Sequence, residues 1–353
     1  MKNFLSCFLF CSYMLGLSAQ ENTNLQDFKA GIRELEENYA GFPSLNTYDR
    51  HEYDSLKQCL LLEVTASEKK GYEAVGEIFG WFNDFHLKCG IYSEANMKRK
   101  APDYSAEMEY NPAFLCRKID NTTFLIRFPS CEGGESVKAW ADNSVEEYRN
   151  SGCRNLIIDI RGNGGGTDYA YYPYLSLVYN REGMQDGVEI RNSADHLSYI
   201  KELEKSMPEL KELVRLMEVS DDKFVPVNAG VSSIKQDTVF SLPEKVALII
   251  DGNVGSSGEQ MILDMRACST RTVVYGKDNT LGCLDYSNTR RVDLPNSKIS
   301  MYIPMTRSCR LPDKGIDKTG IAPDVRLDLP YPKKLTDNVD EWVRWVAKDL
   351  LKR

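Results

Sequence analysis

Residues 248–261 read LIIDGNVGSSGEQM: an apolar run stops at small, flexible residues and two adjacent hydroxyls, Ser256 and Ser257, before a helical pattern takes over. A short apolar run bounded by glycine reads as a buried strand. A strand that turns sharply into a helix lifts one hydroxyl out of the sheet and sets the next N–H at a helix start, where negative charge is favoured. The stretch does not match G-x-S-x-G. A plainer reading is open beside this one: Ser256 as an N-cap, with Glu259 three residues on as in a capping box.

A second corner lies upstream, where residues 157–170 read IIDIRGNGGGTDYA. A glycine cluster at a strand's carboxyl end turns backbone N–H groups into the crevice where α/β folds place their ligands. A dinucleotide fingerprint counted from Gly162 would need glycine at 167, and the residue there is Thr167. Such a nest suits the oxyanion of a tetrahedral intermediate, which needs donors fixed in advance and room for a carbonyl to approach. A tight turn without a ligand is the bland alternative.

Outward from these corners, spacing predicts the rest. From Leu25 to about Cys89, apolar residues recur every three or four positions, which predicts a small helical subdomain over 20–100. TTFLIRF at 122–128 and CRNLIIDIRG at 153–162 read as strands, and YIKELEKSMPELKELVRLMEV at 199–219 as a helical, solvated insert. VALIIDG, a helix from about Gly258 to Ala267, TVVYG, a hairpin of RRVDL with SKISMYI, and a helix around Trp342 to Leu351 complete the chain. Strands alternating with helices predict an α/β core with a partly parallel sheet over 101–353.

Composition bounds the function. With 353 residues, 42% of them hydrophobic and 27% charged, the chain can bury a real core. Its 44 basic and 52 acidic residues give a net charge of −8, which offers no basic face to a nucleic acid. The opening MKNFLSCFLFCSYMLGLSAQ has a lysine, an apolar run and then small residues, the layout of a signal peptide over 1–19. The run is shorter than the roughly 20 residues that a membrane span needs, and no later segment is apolar enough to span. Leu9 and Phe10 stand where a lipoprotein signal has small residues, which argues against lipid anchoring at Cys11. An exported protein is expected, whether periplasmic, cell-surface or secreted. The eight cysteines after the signal permit disulfides without fixing their pairing. No Cys-x-x-Cys pair occurs and only three histidines are present, so neither a zinc cluster nor a histidine-rich metal site is expected.

A serine hydroxyl needs a base to take its proton, and histidine is the usual one. His51 and His196 lie in polar surroundings and read as exposed. His86, in GEIFGWFNDFHLKCG, closes an amphipathic helix beside Trp81, Phe82 and Phe85; a packed or capping histidine is the alternative there.

The segments LIIDIRGNGGGTDY, ALIIDGNVGSSGEQ, VVYGKDNTLGCLDYSN and KTGIAPDVRLDLP, in that order, together resemble the catalytic domain of the C-terminal processing (tail-specific) serine peptidases over about residues 75–330. The resemblance implies a crotonase-like, Clp-protease-like α/β core preceded by a helical subdomain. It places Ser256 on the family's nucleophile, and the amides of Ser257 and of Gly164 or Gly165 on its oxyanion hole. Two departures matter. Bacterial relatives carry a lysine base in a G-K-G stretch, where this chain has Cys283, and Lys277 comes several residues too early. The tricorn-like branch uses a histidine in a GELxxSH-like motif and a late glutamate; here GWFNDFHLKCG supplies His86, with Phe85 in place of the serine, and GIDKTGIAPDV supplies Asp317 in place of the glutamate. A PDZ module is common in the family, but some 30 residues between the His86 region and Phe114 leave no room for one.

The expectation is an exported serine endopeptidase without a cofactor, acting on peptides or proteins, in which Ser256 attacks, His86 moves the proton and Asp317 orients the imidazole. A catalytically silent peptide-binding relative and an esterase-type hydrolase are the rivals, and a Cys89 nucleophile is a further one. The sequence leaves the oligomeric state open.

Overall fold

The computed structural model describes residues 23–227 and 232–353; the signal-like segment 1–19 lies outside them. The chain divides into two compact units. One holds the described residues up to Lys100 with Val188–Val227 and Tyr286–Arg307, and the other holds Ala101–Gly187, the described residues of 232–285 and Ser308–Arg353.

The second unit is built on six strands: β1 (Leu115–Lys118), β2 (Thr123–Arg127), β3 (Asn155–Asp159), β4 (Lys245–Ile250), β5 (Thr272–Gly276) and β6 (Val325–Arg326). They lie side by side in the order β6-β5-β4-β3-β2-β1. All neighbours are parallel except the β1–β2 pair. Successive strand residues point to opposite faces, so a strand such as β4, apolar and buried from Val246 to Ile250, requires cover on both sides. On one face Phe124, Ile126, Leu156, Ile158, Val246 and Leu248 meet helices α1 (Glu135–Ser151) and α2 (Ser257–Cys268) through Val145, Met261 and Met265. On the other, Leu125, Ile157, Ala247 and Ile249 meet helix α3 (Glu341–Lys352) through Trp342, Val343 and Val346. The partly parallel α/β sheet expected from the alternation is therefore present, and β2, β3, β4, β5, α2 and α3 fall where the spacing put them, whereas α1 and β6 are additions.

The first unit packs helices over 23–38, Thr47–Thr65 and Gly71–Trp81 around Phe28, Leu35, Tyr53, Val75 and Phe79. Its five-stranded sheet pairs Tyr286–Asp293 with Ser300–Ser308, the hairpin read from the sequence. The insert differs from its solvated reading. Helix Lys211–Val219 buries Leu213, Val214 and Met217 against Ile190, Val225 and Met305, so its apolar stripe makes a small core while the Lys and Glu residues face outward. His51 is exposed as expected, but His196 is fully buried: its Nδ1 lies 2.9 Å from the carbonyl of Arg191, and burial pulls its pKa down to about 4. Despite its polar neighbours in sequence, His196 is buried because Leu197, Tyr199 and Ile200 turn that helix face inward. Cys59, Cys89, Cys116, Cys131, Cys153 and Cys268 are free thiols. Among the described residues, no helix is long and apolar enough to cross a membrane.

A buried charge network pins the sheet to α3. Arg127 Nε and Arg161 Nη2 each donate to Asp159 Oδ2 at 2.7 Å, and both guanidinium groups also reach Asp340 Oδ2. Asp340 Oδ1 accepts the N–H of Trp342 at 3.0 Å, capping α3. Removing one partner from such a network leaves charge buried and uncompensated. Asp340→Ala is therefore expected to destabilise the protein by about 3–5 kcal/mol, measured by denaturant unfolding.

Candidate active site

Strands β3 and β4 run parallel in register, with Ile249 opposite Asp159, so both leave the sheet at the same edge. Their continuations are joined. Ile160 N–H donates to the Ile249 carbonyl at 2.9 Å, and Gly255 N–H to the Asn163 carbonyl at 3.0 Å. Asn163 is fully buried, with its Nδ2 donating to the Phe128 carbonyl at 3.0 Å and its Oδ1 accepting from Gly165 N–H at 3.0 Å. The two glycine corners thus form one structure.

Within it, Gly165 lies against the serine pair. A Cβ added at Gly165 would stand 2.6 Å from Ser256 Cβ and 3.1 Å from Ser257 N, and the residue's φ is +111°. Only glycine fits there. Gly164 is different: it is exposed, with open space about it, and its N–H turns back to the Gly162 carbonyl at 3.0 Å. Of the two glycines anticipated as oxyanion donors, Gly165 is the one beside Ser256.

Ser256 precedes α2 with φ 51° and ψ −123°, and its side chain makes no capping hydrogen bond. The N-cap reading therefore fails at this residue. A non-glycine residue held at positive φ costs about 1–3 kcal/mol, which surrounding structure must enforce. Ser257 opens the helix, where the first amides have no intrahelical acceptor and their dipoles favour an anion. Its Oγ donates to the Gly166 carbonyl at 3.2 Å. Beside it stands Asp168, whose pKa burial raises and the hydrogen bond from Ser257 lowers.

Glu259 ties the loop after β5 to the corner. Its carboxylate accepts from Thr280 Oγ1 at 2.5 Å, Gly282 N–H at 2.7 Å and Cys283 N–H at 2.9 Å. Burial raises its pKa, and those hydrogen bonds oppose the rise. Leu281 N–H donates to the Val254 carbonyl at 2.7 Å. Cys283, which stands in the place of the bacterial lysine, lies against Gly255: a Cβ there would meet its Sγ at 2.7 Å. Lys277 Nζ is directed elsewhere, to the Leu329 carbonyl at 2.8 Å. Asp317 Oδ1 accepts the N–H groups of Leu284 and Asp285 at 2.7 and 2.8 Å, which fixes the chain just beyond Cys283.

His86 belongs to the first unit. Helix Gly71–Trp81 ends before it, because Asn83 takes a left-handed φ of 55°, and His86 stands in the following turn and not in the helix expected. Its backbone N–H donates to Asp84 Oδ1 at 2.8 Å, and Tyr39 OH donates to Asp84 Oδ2 at 2.8 Å. Burial raises the Asp84 pKa, against the charge of His86, which lowers it. Asp84 was missed in the sequence, although a carboxylate two residues before a candidate base was a usable signal. Cys89 is buried in the same unit, and burial pushes its thiol up to about 12, which leaves little thiolate to act as a nucleophile.

A serine on a strained corner, beside a helix start at the carboxyl edge of a parallel sheet, is an arrangement that can serve acyl transfer. The chain belongs to peptidase family S41, which its sequence matches over residues 123–327, and it is a serine-type peptidase. No curated protein matches it. Among solved structures, one from Parabacteroides merdae is similar at 18% identity, covering 86% of this chain and 90% of its own, with a TM-score of 0.57. Mature CPAF complexed with lactacystin is similar at 11% identity (95% and 98% covered, TM-score 0.60). A lipoprotein from Streptococcus agalactiae is similar at 12% (94% and 96%, TM-score 0.53). At these identities the likeness is one of fold.

Strain at the corner gives a direct test. Ser256→Gly is expected to be more stable than Ser256→Ala by about 1–2 kcal/mol, since only glycine relieves the positive φ, as read by calorimetry of the two variants.

Proposed function

We propose that the protein is an exported serine endopeptidase with a crotonase-like catalytic core preceded by a helical subdomain. Ser256 attacks the scissile carbonyl, His86 takes its proton and returns it to the leaving amine, and an acyl-enzyme forms and is hydrolysed. The N–H groups of Ser257 and of the Gly164–Gly165 turn hold the oxyanion. The observation that carries this reading is the backbone of Ser256: a hydroxyl held at φ 51° outside any capping role, in contact with Gly165. Strain of this kind persists at functional corners because the fold enforces it. A histidine base, as in the tricorn-like branch, fits a chain that has Cys283 where bacterial relatives have lysine. Asp317 orients the imidazole in this reading. Asp84 is its rival for that role, because its carboxylate already accepts the His86 backbone N–H. Export rests on the signal-like layout of residues 1–19, and agrees with a lipoprotein among the similar structures.

One observation favours the catalytically silent reading. Gly165 N–H is donated to Asn163 Oδ1, so it must turn from that oxygen to meet a substrate. Turnover decides between the two. With a panel of unblocked and blocked peptides, Ser256→Ala and His86→Ala are each expected to lower kcat by at least about 10³-fold. Asp317→Asn should cost more than Asp84→Asn; the reverse order assigns the orienting role to Asp84. Absence of peptide cleavage by the unmodified protein supports the silent reading, and cleavage of esters alone an esterase.

A further inference from the structure

The oxyanion turn and the nucleophile corner share more than the Gly255–Asn163 contact. Asp251 ends β4's line just before the corner and is 2% exposed. Its Oδ1 accepts Gly162 N–H from the first turn at 3.1 Å and Asn253 N–H from the second at 3.0 Å. Its Oδ2 accepts Tyr110 OH at 2.7 Å, and the Tyr110 oxygen in turn accepts from Asn253 Nδ2 at 3.2 Å. Tyr104 works one residue further on, its hydroxyl accepting Gly252 N–H at 2.9 Å while donating to Asp278 Oδ2 at 3.0 Å. Both tyrosines come from the short segment that precedes β1. That segment is itself held down: the N–H groups of Glu109, Asn111 and Ala113 donate to the carbonyls of Lys333, Leu335 and Thr336 at 3.0, 2.9 and 3.2 Å. It also touches the turn it braces, because a Cβ at Gly162, whose φ is +81°, would meet Pro112 Cγ at 2.6 Å and Tyr110 OH at 3.2 Å.

We propose that residues 104–113 form a strap whose Tyr110 holds Asp251 as a positioning residue, so that one buried carboxylate keeps the oxyanion turn and the nucleophile corner in fixed relation. This rests on the serine peptidase reading of Ser256. A carboxylate is suited to the task because its two oxygens accept several charge-assisted hydrogen bonds at once. Burial pushes its pKa up to about 6, while Tyr110, the Gly162 and Asn253 amides and the charge of Arg161 hold it down, so it is ionised at neutral pH. Rigid coupling matters because a displacement of about 1 Å between nucleophile and oxyanion donors can cost on the order of 10² in rate.

The test joins hydrogen exchange to kinetics in the full-length protein. In Tyr110→Phe, amide exchange is expected to rise in both 160–166 and 252–257 while β3 and β4 stay protected, and kcat on a peptide substrate to fall by about tenfold with KM within about twofold. Asp251→Ala should exaggerate both effects. Asp251→Asn, which keeps an acceptor oxygen for the two amides, should restore joint protection and bring kcat to within about fivefold of the unmodified protein. Exchange that rises in 252–257 alone, or an unchanged kcat in Tyr110→Phe, overturns the proposal. Exchange is read whether or not the protein turns over. An unmodified protein that cleaves nothing yet shows joint protection therefore refutes the peptidase reading and not the coupling.

Discussion

The hydrogen bond from Gly255 N–H to the Asn163 carbonyl, 3.0 Å long, joins two turns that are nearly a hundred residues apart in sequence. It can form because β3 and β4 are adjacent, parallel and in register, which sends both chains off the same edge of the sheet. The contact sets Gly165 against Ser256 and holds the serine in a conformation that only glycine adopts readily. The residue after it opens a helix, where a free amide favours negative charge. In the proposed reading the chemistry follows from the crossing of two backbones more than from any single side chain.

Charge beneath the site keeps that edge rigid. Arg161 belongs to the glycine motif, yet it faces inward to Asp159 and Asp340, not toward a substrate. Asp159 in turn binds Arg127 and is held at about 2 by the two arginines, against a burial penalty that acts in the opposite direction. The motif's arginine and aspartate thus fasten the strand ends to the C-terminal helix, while the glycines between them supply the site. Glu259 does similar work on the other side, anchoring the loop of Thr280 to Cys283 to the first turn of α2.

Much of this was legible in the sequence. The apolar runs of β3 and β4, the two glycine corners and the helix after Ser257 follow from period, strand length and glycine placement, which depend on local chemistry. What could not be read depends on contacts far apart in the chain. The Tyr110–Asp251 pair spans 141 positions, and no local pattern marks either residue. The burial of His196 is of this kind, because what packs on a helix face decides whether it is buried. Apolar spacing continues through Phe85 and predicts a helix as far as His86, whereas the left-handed Asn83 ends the helix earlier. Gly164 and Gly165 are alike in sequence, and only the fold puts one of them against Ser256.

The most direct measurement is a crystal structure after reaction with a fluorophosphonate. A covalent bond at Ser256 Oγ is predicted, with the phosphoryl oxygen about 3 Å from the Ser257 N–H and facing the Gly165 turn. A bond at any other side chain, or an adduct oxygen turned away from both amides, contradicts the assignment of this corner as the reacting centre.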